Sequence, residues 1–355
     1  MAQHPCIEPS ALQVHRLDSS DPAAVRAWDR FVLAQPQATF FHRAAWQGVV
    51  RDVMQHDAYF LYAQDDSGLL GVLPLAHVKT WLFGNALVGL PFAVYGGVVA
   101  VHAQAAQALE NAAQALAETL GVEHLEMRNR SRRHSDWPVQ DLYVTFRKTL
   151  ERDDELRLQA IPRKQRAMVR KGIKNGLQSH HDADVERFFP LYANTMRRHG
   201  TPALSKRYFQ ALRAIFGPDC EVLTVCTPDG QPLSSVLCFY FRDEVLPYYA
   251  GDTPQARDLA ANDYKYWALM CHASQRGAAV FDYGRSKQGT GSYDFKKNWG
   301  FHPTPLHYEY QLYRRSAIPQ NNPANSRFKP LIALWRRLPQ GVVNWLGPHL
   351  VRGLG

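Results

Sequence analysis

The sequence predicts a mixed α/β protein of two similar units, each a twisted mixed sheet flanked by helices, within 355 residues. Three observations point there. Runs with the period-two pattern of strands alternate with runs at helical spacing. The order hairpin, strand, helix, strand occurs twice. Corresponding glycines also keep their offset: the helix-ending Gly121 and Gly277 lie 277 − 121 = 156 positions apart, and the turn glycines Gly68 and Gly230 lie 230 − 68 = 162 apart. Two offsets this close argue for a duplicated unit.

Length alone favours two domains, at ~150 residues for each. A hydrophobic content of 46% with 21% charged residues describes a folded globular chain rather than a disordered one. Lys and Arg exceed Asp and Glu by 41 − 32 = 9, which suits a polyanionic partner: nucleic acid, a nucleotide-linked substrate or an anionic membrane surface. The five cysteines, Cys6, Cys220, Cys226, Cys238 and Cys271, form no CxxC or Cys/His pattern. They read as small core thiols in a reducing compartment, and no metal site is expected from them. The amino-terminal Met-Ala-Gln-His-Pro-Cys has no basic segment followed by an apolar block, so the expected location is cytoplasmic. Thr80 to Leu109 lacks charged residues, but Gly84, Asn85, Gly89, Pro91, Gly96 and Gly97 interrupt every apolar window of spanning length. Buried strands entering a helix are expected there.

Along the chain, Pro22 to Ala34 has helical spacing, and Trp46, Val49, Val50 and Val53 suggest a second helix. Tyr59 to Gln64 and Leu69 to Val78 flank Asp65-Asp66-Ser67-Gly68, a hairpin signal. A strand at Val94 to Val101, a helix at Ala103 to Leu120 and a strand at Val122 to Met127 follow. In the second half, Glu221 to Cys226 and Leu233 to Phe241 flank a Pro-Asp-Gly turn; Val245 to Ala250, a helix from Ala261 to Arg276 and a strand at Ala279 to Tyr283 complete the pattern. The expected division is 1–150 for the first domain, 151–180 for a basic connecting helix, 181–315 for the second domain and 316–355 for a linker and basic amphipathic tail. The tail can pack back on the core or contact the inner membrane peripherally.

The connecting segment places Arg163, Arg166, Arg170 and Lys174 at i, i+3, i+7 and i+11, one basic stripe on a helix that also carries Lys171 and no acid. A solvated face is the ordinary outcome of such a stripe; an anion-binding face is the rival. The stretch Phe281 to Phe301 is the most unusual of all. It sets Arg285, Lys287, Lys296 and Lys297 among Gly284, Gly289, Gly291 and Gly300, and closes with Phe295-Lys296-Lys297-Asn298-Trp299-Gly300-Phe301. Glycines admit close backbone approach, clustered cations suit phosphate or carboxylate, and so much aromatic mass implies packing. It is read as the active-site wall.

These residues, together with Ile161 to Leu177, Met196 to Pro202, Leu246 to Gly251, Tyr266-Trp267 and Pro305 to Tyr308, carry a resemblance. Each unit resembles the Gcn5-related acyltransferase (GNAT) fold. The chain as a whole resembles Fem-type (FemABX-like) peptidyltransferases, in particular the FemAB-related proteins associated with exosortase/PEP-CTERM systems of exopolysaccharide-producing bacteria. The resemblance implies two tandem GNAT-like domains and transfer of an acyl or aminoacyl group to an amine on a nucleotide- or lipid-linked envelope precursor. Aminoacyl-tRNA would be the co-substrate, with no bound cofactor and tRNA as a partner. The family's Phe-Lys pair before an aromatic-Gly matches Phe295-Lys296 and Trp299-Gly300, which implies that Lys296 stabilises charge during transfer.

Amine acylation passes through an oxyanion and needs a cation or donor where that charge grows. Lys296 and Arg285 are the candidates. A base for the amine could be Asp294, Asp282 or Tyr283, although Asp294 could simply pair with Lys296. Arg163, Arg166, Arg170 and Lys171 would hold an anionic carrier; Tyr248, Tyr249, Asp252, Lys287, Phe295 and Trp299 are candidate pocket residues. Users of acyl-CoA in this fold carry a Gln/Arg-x-x-Gly-x-Gly/Ala loop gripping pyrophosphate at a helix start. Here the loop reads Arg257-Asp258-Leu259-Ala260-Ala261-Asn262, which weighs against acyl-CoA as donor. An acyl-CoA-dependent N-acetyltransferase and a non-catalytic polyanion- or membrane-binding module are the alternatives.

Overall fold

A computed structural model describes residues 12–81, 84–319 and 329–353, with backbone only for 329–331. Cys6 and most of the expected linker, from Gln320, lie outside the described residues. The strands are β1 (Gln13–Arg16), β2 (Asp57–Asp65), β3 (Gly68–Thr80), β4 (Gly84–Val88), β5 (Val99–Ala100), β6 (His124–Asn129), β7 (Val139–Gln140) and β8 (Tyr143–Thr149). They continue as β9 (Gln178–Asp182), β10 (Cys220–Cys226), β11 (Pro232–Phe241), β12 (Glu244–Asp252), β13 (Val280–Asp282), β14 (Ser286–Lys287), β15 (Pro303–Pro305) and β16 (His307–Leu312). The helices are α1 (Pro22–Ala34), α2 (Trp46–Gly48), α3 (Ala103–Thr119), α4 (Asp154–Gln159), α5 (Arg163–Lys174) and α6 (Phe188–His199). After them come α7 (Lys206–Phe216), α8 (Ala261–Gln275), α9 (Gly291–Asn298), α10 (Lys329–Arg337) and α11 (Gln340–Val351).

Two compact units divide the chain, one made of Met1–Lys79, Gly84–Pro138 and Tyr308–Ala317, the other of Thr80–Phe83, Val139–His307 and Ile318–Gly355. The first sheet runs β1-β2-β3-β4-β6-β16-β7 with β5 on β3, and the second β9-β10-β11-β12-β13-β8-β14 with β15 on β8. The first six positions of the two orders correspond, with β4 parallel to β6 and β12 parallel to β13. The sixth position is filled crosswise. Strand β8, from the stretch 1–150, supplies it to the second sheet, and β16, from the stretch 181–315, supplies it to the first. Neither sheet is therefore built from one continuous segment.

Local chemistry explains the helices that the periodicity predicts. Asp21 caps α1 by accepting from the amide of Ala23 at 2.8 Å, and Pro22 opens the helix. The alanine-rich α3 and the mixed α8 both give way to a glycine with positive φ, Gly121 at 58° and Gly277 at 88°. In the first unit Trp28, fully buried, stacks on Phe60 at 5.5 Å and donates from Nε1 to the carbonyl of His42 at 2.6 Å. Burial of each such ring is worth ~1.5–3 kcal/mol.

Three expectations change. The strand expected at Val94 to Val101 shrinks to Val99–Ala100, and Gly84–Val88 runs parallel to β6 instead. The reason is steric: Leu90 and Phe92 have positive φ, and a Cβ on Gly89 would lie 2.3 Å from the Gly96 carbonyl oxygen, so this backbone folds on itself as a loop. The second helix is one short turn, Trp46–Gly48, running into a π-helical turn at Val49–Val53. The glycine-broken run before Phe301 holds a helix, α9, after the short strand β14.

The tail does pack on the second unit. Trp335, Val343 and Val351 are buried, while Leu334, Val342 and Trp345 are exposed. Helix α6 receives it, since Gly200 leaves room for Ile332 and Gly347 approaches the backbone of Ala203.

Candidate functional site

In the second unit β12 and β13 keep register only at Glu244 with Val280 and Val245 with Phe281. Beyond that, β12 continues along β11, and its pairing steps from Cys238–Pro247 to Leu237–Tyr249, which makes Tyr248 the extra residue of a β-bulge. A bulge twists its strand and re-aims its side chains. After β13 the chain turns at Gly284, φ 62°, and the Tyr248 ring comes within 3.8 Å of the position a Cβ would take there. The two parallel strands thus part around a turn that Tyr248 faces.

Beneath that turn lies Lys296. It sits on the inner face of α9, 9% exposed, and its ammonium donates to the carbonyls of Tyr283 at 2.7 Å, Gly284 at 3.1 Å and Arg285 at 3.2 Å. Burial lowers its pKa to about 7, against the opposing pull of Asp282, and Arg285 lowers it further. Three acceptors match the three N–H bonds of the charged form. In a trans peptide the C=O and the following N–H point opposite ways, so gathering these carbonyls turns the amides of residues 284–286 away from the lysine.

The other sequence candidates divide around this point. Tyr283 is buried, and its hydroxyl has no hydrogen-bond partner among the described residues; burial raises its pKa well above the usual phenol value, so it stays protonated. Arg285 is exposed and lies over the Tyr143 ring at 4.6 Å. Lys287, half-buried, is in register with Tyr143. Asp294 is exposed and two residues from Lys296, hence on another face of α9. The expected pairing with Lys296 does not occur, because backbone carbonyls occupy the ammonium. Phe295 and Trp299 pack around Tyr266, at 5.5 and 6.3 Å. Tyr249 belongs to an aromatic nest with Tyr192, Tyr208 and Phe209, its hydroxyl 2.9 Å from that of Tyr208.

Asp252 heads a second polar group at the far end of β12. Its carboxylate is bonded by Arg198 and accepts from Asn262 Nδ2 at 2.7 Å. Burial raises its pKa, but the bonds from Asn262 and Arg198 and the charge of Lys265 outweigh that and leave it low. Lys265, 1% exposed, donates to Ser234 at 2.9 Å and Asn262 at 3.2 Å; burial lowers its pKa to about 8. Next to it Asp263 accepts from Trp299 Nε1 at 3.1 Å, and burial raises its pKa to about 6. Tyr266 joins the two groups, its ring 4.7 Å from the Lys265 ammonium and 5.0 Å from Tyr283. Sequence reasoning missed Lys265 and Asp263. A usable signal existed, since Lys265 lies four residues before Leu269 on the buried face of α8.

Trp299→Phe tests this arrangement. Loss of the indole donor raises the Asp263 pKa further, so the penalty is expected to grow as pH rises through about 6 and to reach ~1–3 kcal/mol above it. Thermal melts of both proteins at pH 5 and 8 check it. An equal difference at the two pH values would remove Asp263 from the argument.

The basic helix α5 meets α8. Its buried residues are Gln165, Val169 and Gly172, and a Cβ on Gly172 would stand 2.7 Å from Cβ of Tyr264. Arg163, Arg170, Lys171 and Lys174 are exposed; Arg166 is half-buried, its buried Nε having no hydrogen-bond partner among the described residues. Helix α8 starts after Ala260 at φ 61°, so the position that the acyl-CoA pattern gives to glycine keeps a left-handed backbone although its residue is alanine.

In the first unit a cavity of about 340 Å³ opens at the amino end of α3, lined among others by Tyr95, His102, Arg128, Arg130 and Arg133. Arg128 is buried, bonded to Glu126 and to the carbonyls of Leu90 and Ala93. Glu309, fully buried, accepts from the amides of Arg133 and His134 and from Asn129, and so fixes the lining segment.

Residues 163–297 match the family described as "Acetyltransferase (GNAT) domain". Among solved structures the chain is similar to FemX, with 14% identity, TM-score 0.66, and 85% of this chain and 98% of that one covered. It is also similar to L-PGS from Bacillus licheniformis, with 11% identity and TM-score 0.56 over 89% and 96% of the two chains. A tandem GNAT protein from the clavulanic acid biosynthesis pathway gives 12% identity and TM-score 0.55 over 87% and 100%. No curated protein gives a significant sequence match. These likenesses establish the tandem GNAT fold.

Proposed function

We propose that this protein is a cytoplasmic acyl- or aminoacyltransferase that N-acylates an amine on an anionic cell-envelope or exopolysaccharide-linked precursor. The observation that carries the reading is Lys296, a buried ammonium beneath the turn where β12 and β13 separate. The Gly284 amide is taken by Asp282 Oδ1 at 2.7 Å, so the contribution is the ammonium's own positive charge behind the turn, where it favours a developing oxyanion. Lys296 acts on that turn, and Tyr248 lines it. The exposed cations of α5 hold a polyanionic donor, aminoacyl-tRNA in the favoured form. The exposed apolar residues of the tail give peripheral contact with the inner membrane, where lipid-linked precursors reside.

A second reading has its own observation. The left-handed Ala260 at the start of α8 supports acyl-CoA as donor. No helix among the described residues is long and apolar enough to cross a membrane.

The test offers labelled aminoacyl-tRNA and labelled acetyl-CoA in parallel to pooled envelope precursors. Label passing from aminoacyl-tRNA alone is the expected result, and transfer from acetyl-CoA alone selects the second reading. No transfer from either, with salt-sensitive binding to polyanions, would sink both and leave a binding module.

A further inference from the structure

We propose that His181, Glu221 and His272 form a three-ligand site for a zinc-class divalent cation, on the second unit and apart from the Lys296 region. The residues come from β9, β10 and α8, far apart in sequence, which is why no spacing motif marks them. One donor atom from each lies within 4.8 Å of the other two. His272 Nε2 is 3.1 Å and His181 Nδ1 3.8 Å from the same oxygen of Glu221. A tetrahedral zinc ion with ligand bonds of ~2.0–2.1 Å has ligand-to-ligand edges of roughly 3.3 Å. The two edges to Glu221 bracket that value and the edge between the histidines is bounded at 4.8 Å, so side-chain rotation is what closes the set.

The surroundings suit a ligand role. The two imidazoles face each other with ring centroids 3.8 Å apart, an arrangement that disfavours charge on both rings. Arg276 bonds the other oxygen of Glu221 and rests on the Tyr240 ring at 3.8 Å, fixing the carboxylate from behind. Its positive charge opposes a dication, so the affinity falls below that of a buried four-ligand zinc site.

Imidazole and carboxylate together favour zinc-class metals over magnesium or calcium, which take oxygen ligands. With three protein ligands, water completes the coordination. Because His272 lies in the last turn of α8, ten residues after Asn262 and roughly 15 Å along the helix, the ion ties the sheet edge to α8 at the end remote from the Asp252 group.

The experiment titrates the untagged, chelator-treated full-length protein with Zn²⁺ by calorimetry and repeats it with His181→Gln, His272→Gln and His180→Gln. One equivalent is expected to bind and to raise the melting temperature. Each of the first two variants should lose more affinity than the ~10–100-fold typical of an outer-shell partner, while His180→Gln, on the neighbouring residue, binds as the wild type does. If a ligand variant fails to fold, Co²⁺ added to the wild type supplies the second reading, through visible absorption bands of a His-ligated ion. Absence of a one-equivalent event and of those bands, or wild-type binding in both ligand variants, overturns the site.

Discussion

Lys296→Met is expected to lower kcat/KM by ~10²–10³-fold, the cost of losing a positioned electrostatic element at an acyl-transfer site, and to erase a pH dependence that the wild type carries. In the folded protein the Lys296 pKa is about 7. The form that matches three carbonyl acceptors is the ammonium, so the wild-type rate should fall as pH rises through about 7, and the variant's residual rate should lack that limb. Stability follows the opposite slope. The unfolded chain holds this proton up to its ordinary pKa of 10.5, the folded one only to about 7. Wild-type stability therefore rises with pH between these values and is lowest below about 7, a slope absent from Lys296→Met. Because three buried carbonyls lose their donor, the variant should also melt lower than the wild type at pH 10 and above. A pH-rate profile with parallel melts reads both. Identical pH-rate shapes in the two proteins would take Lys296 out of the reaction.

Gly251→Ala is expected to be the most destabilising single methyl in the second unit. A Cβ there would stand 2.2 Å from the amide nitrogen of Tyr192 and 2.4 Å from the carbonyl carbon of Leu191. Those are backbone atoms of α6, and no rotamer can relieve them. Helix α6 must lift from β12, which costs about 3 kcal/mol or more and carries Arg198 away from Asp252. Urea denaturation gives the loss directly; a midpoint within error of the wild type would mean that α6 has room the packing denies it.

The periodic elements were legible in the sequence because they are local. Helix α1, the two hairpins, α5, α8 and the duplicated order all follow from spacing and turn residues. Helix α9 was not legible, since eight residues containing Gly291 and two adjacent lysines carry a weak apolar face and look like a loop. The importance of Lys296 was visible from its aromatic company, but its three carbonyl partners were not, because they depend on where the 283–285 turn lies in space. Asp252 stood out as a pocket residue, whereas its link to Lys265 passes through Asn262 and Ser234 on different elements. The crosswise strands β8 and β16 were beyond reach for the same reason: strand pairing between distant segments leaves no local pattern.

The crosswise strands also impose a schedule on biosynthesis. When β6 has left the ribosome at Asn129, its neighbour β16 is still untranslated, and 307 − 129 = 178 residues separate the two. At ~5–20 residues per second that is a wait of roughly 10–35 s. Throughout it the nascent first sheet presents β6 as an open edge, a template for wrong pairing. The second sheet has an interval of its own, because β8 ends at Thr149 and its neighbour β13 begins at Val280, 280 − 149 = 131 positions later. On this schedule β9 to β13 and β8 are all available for pairing before β16 is made, so the sheet begun second can be assembled while the one begun first still lacks a strand.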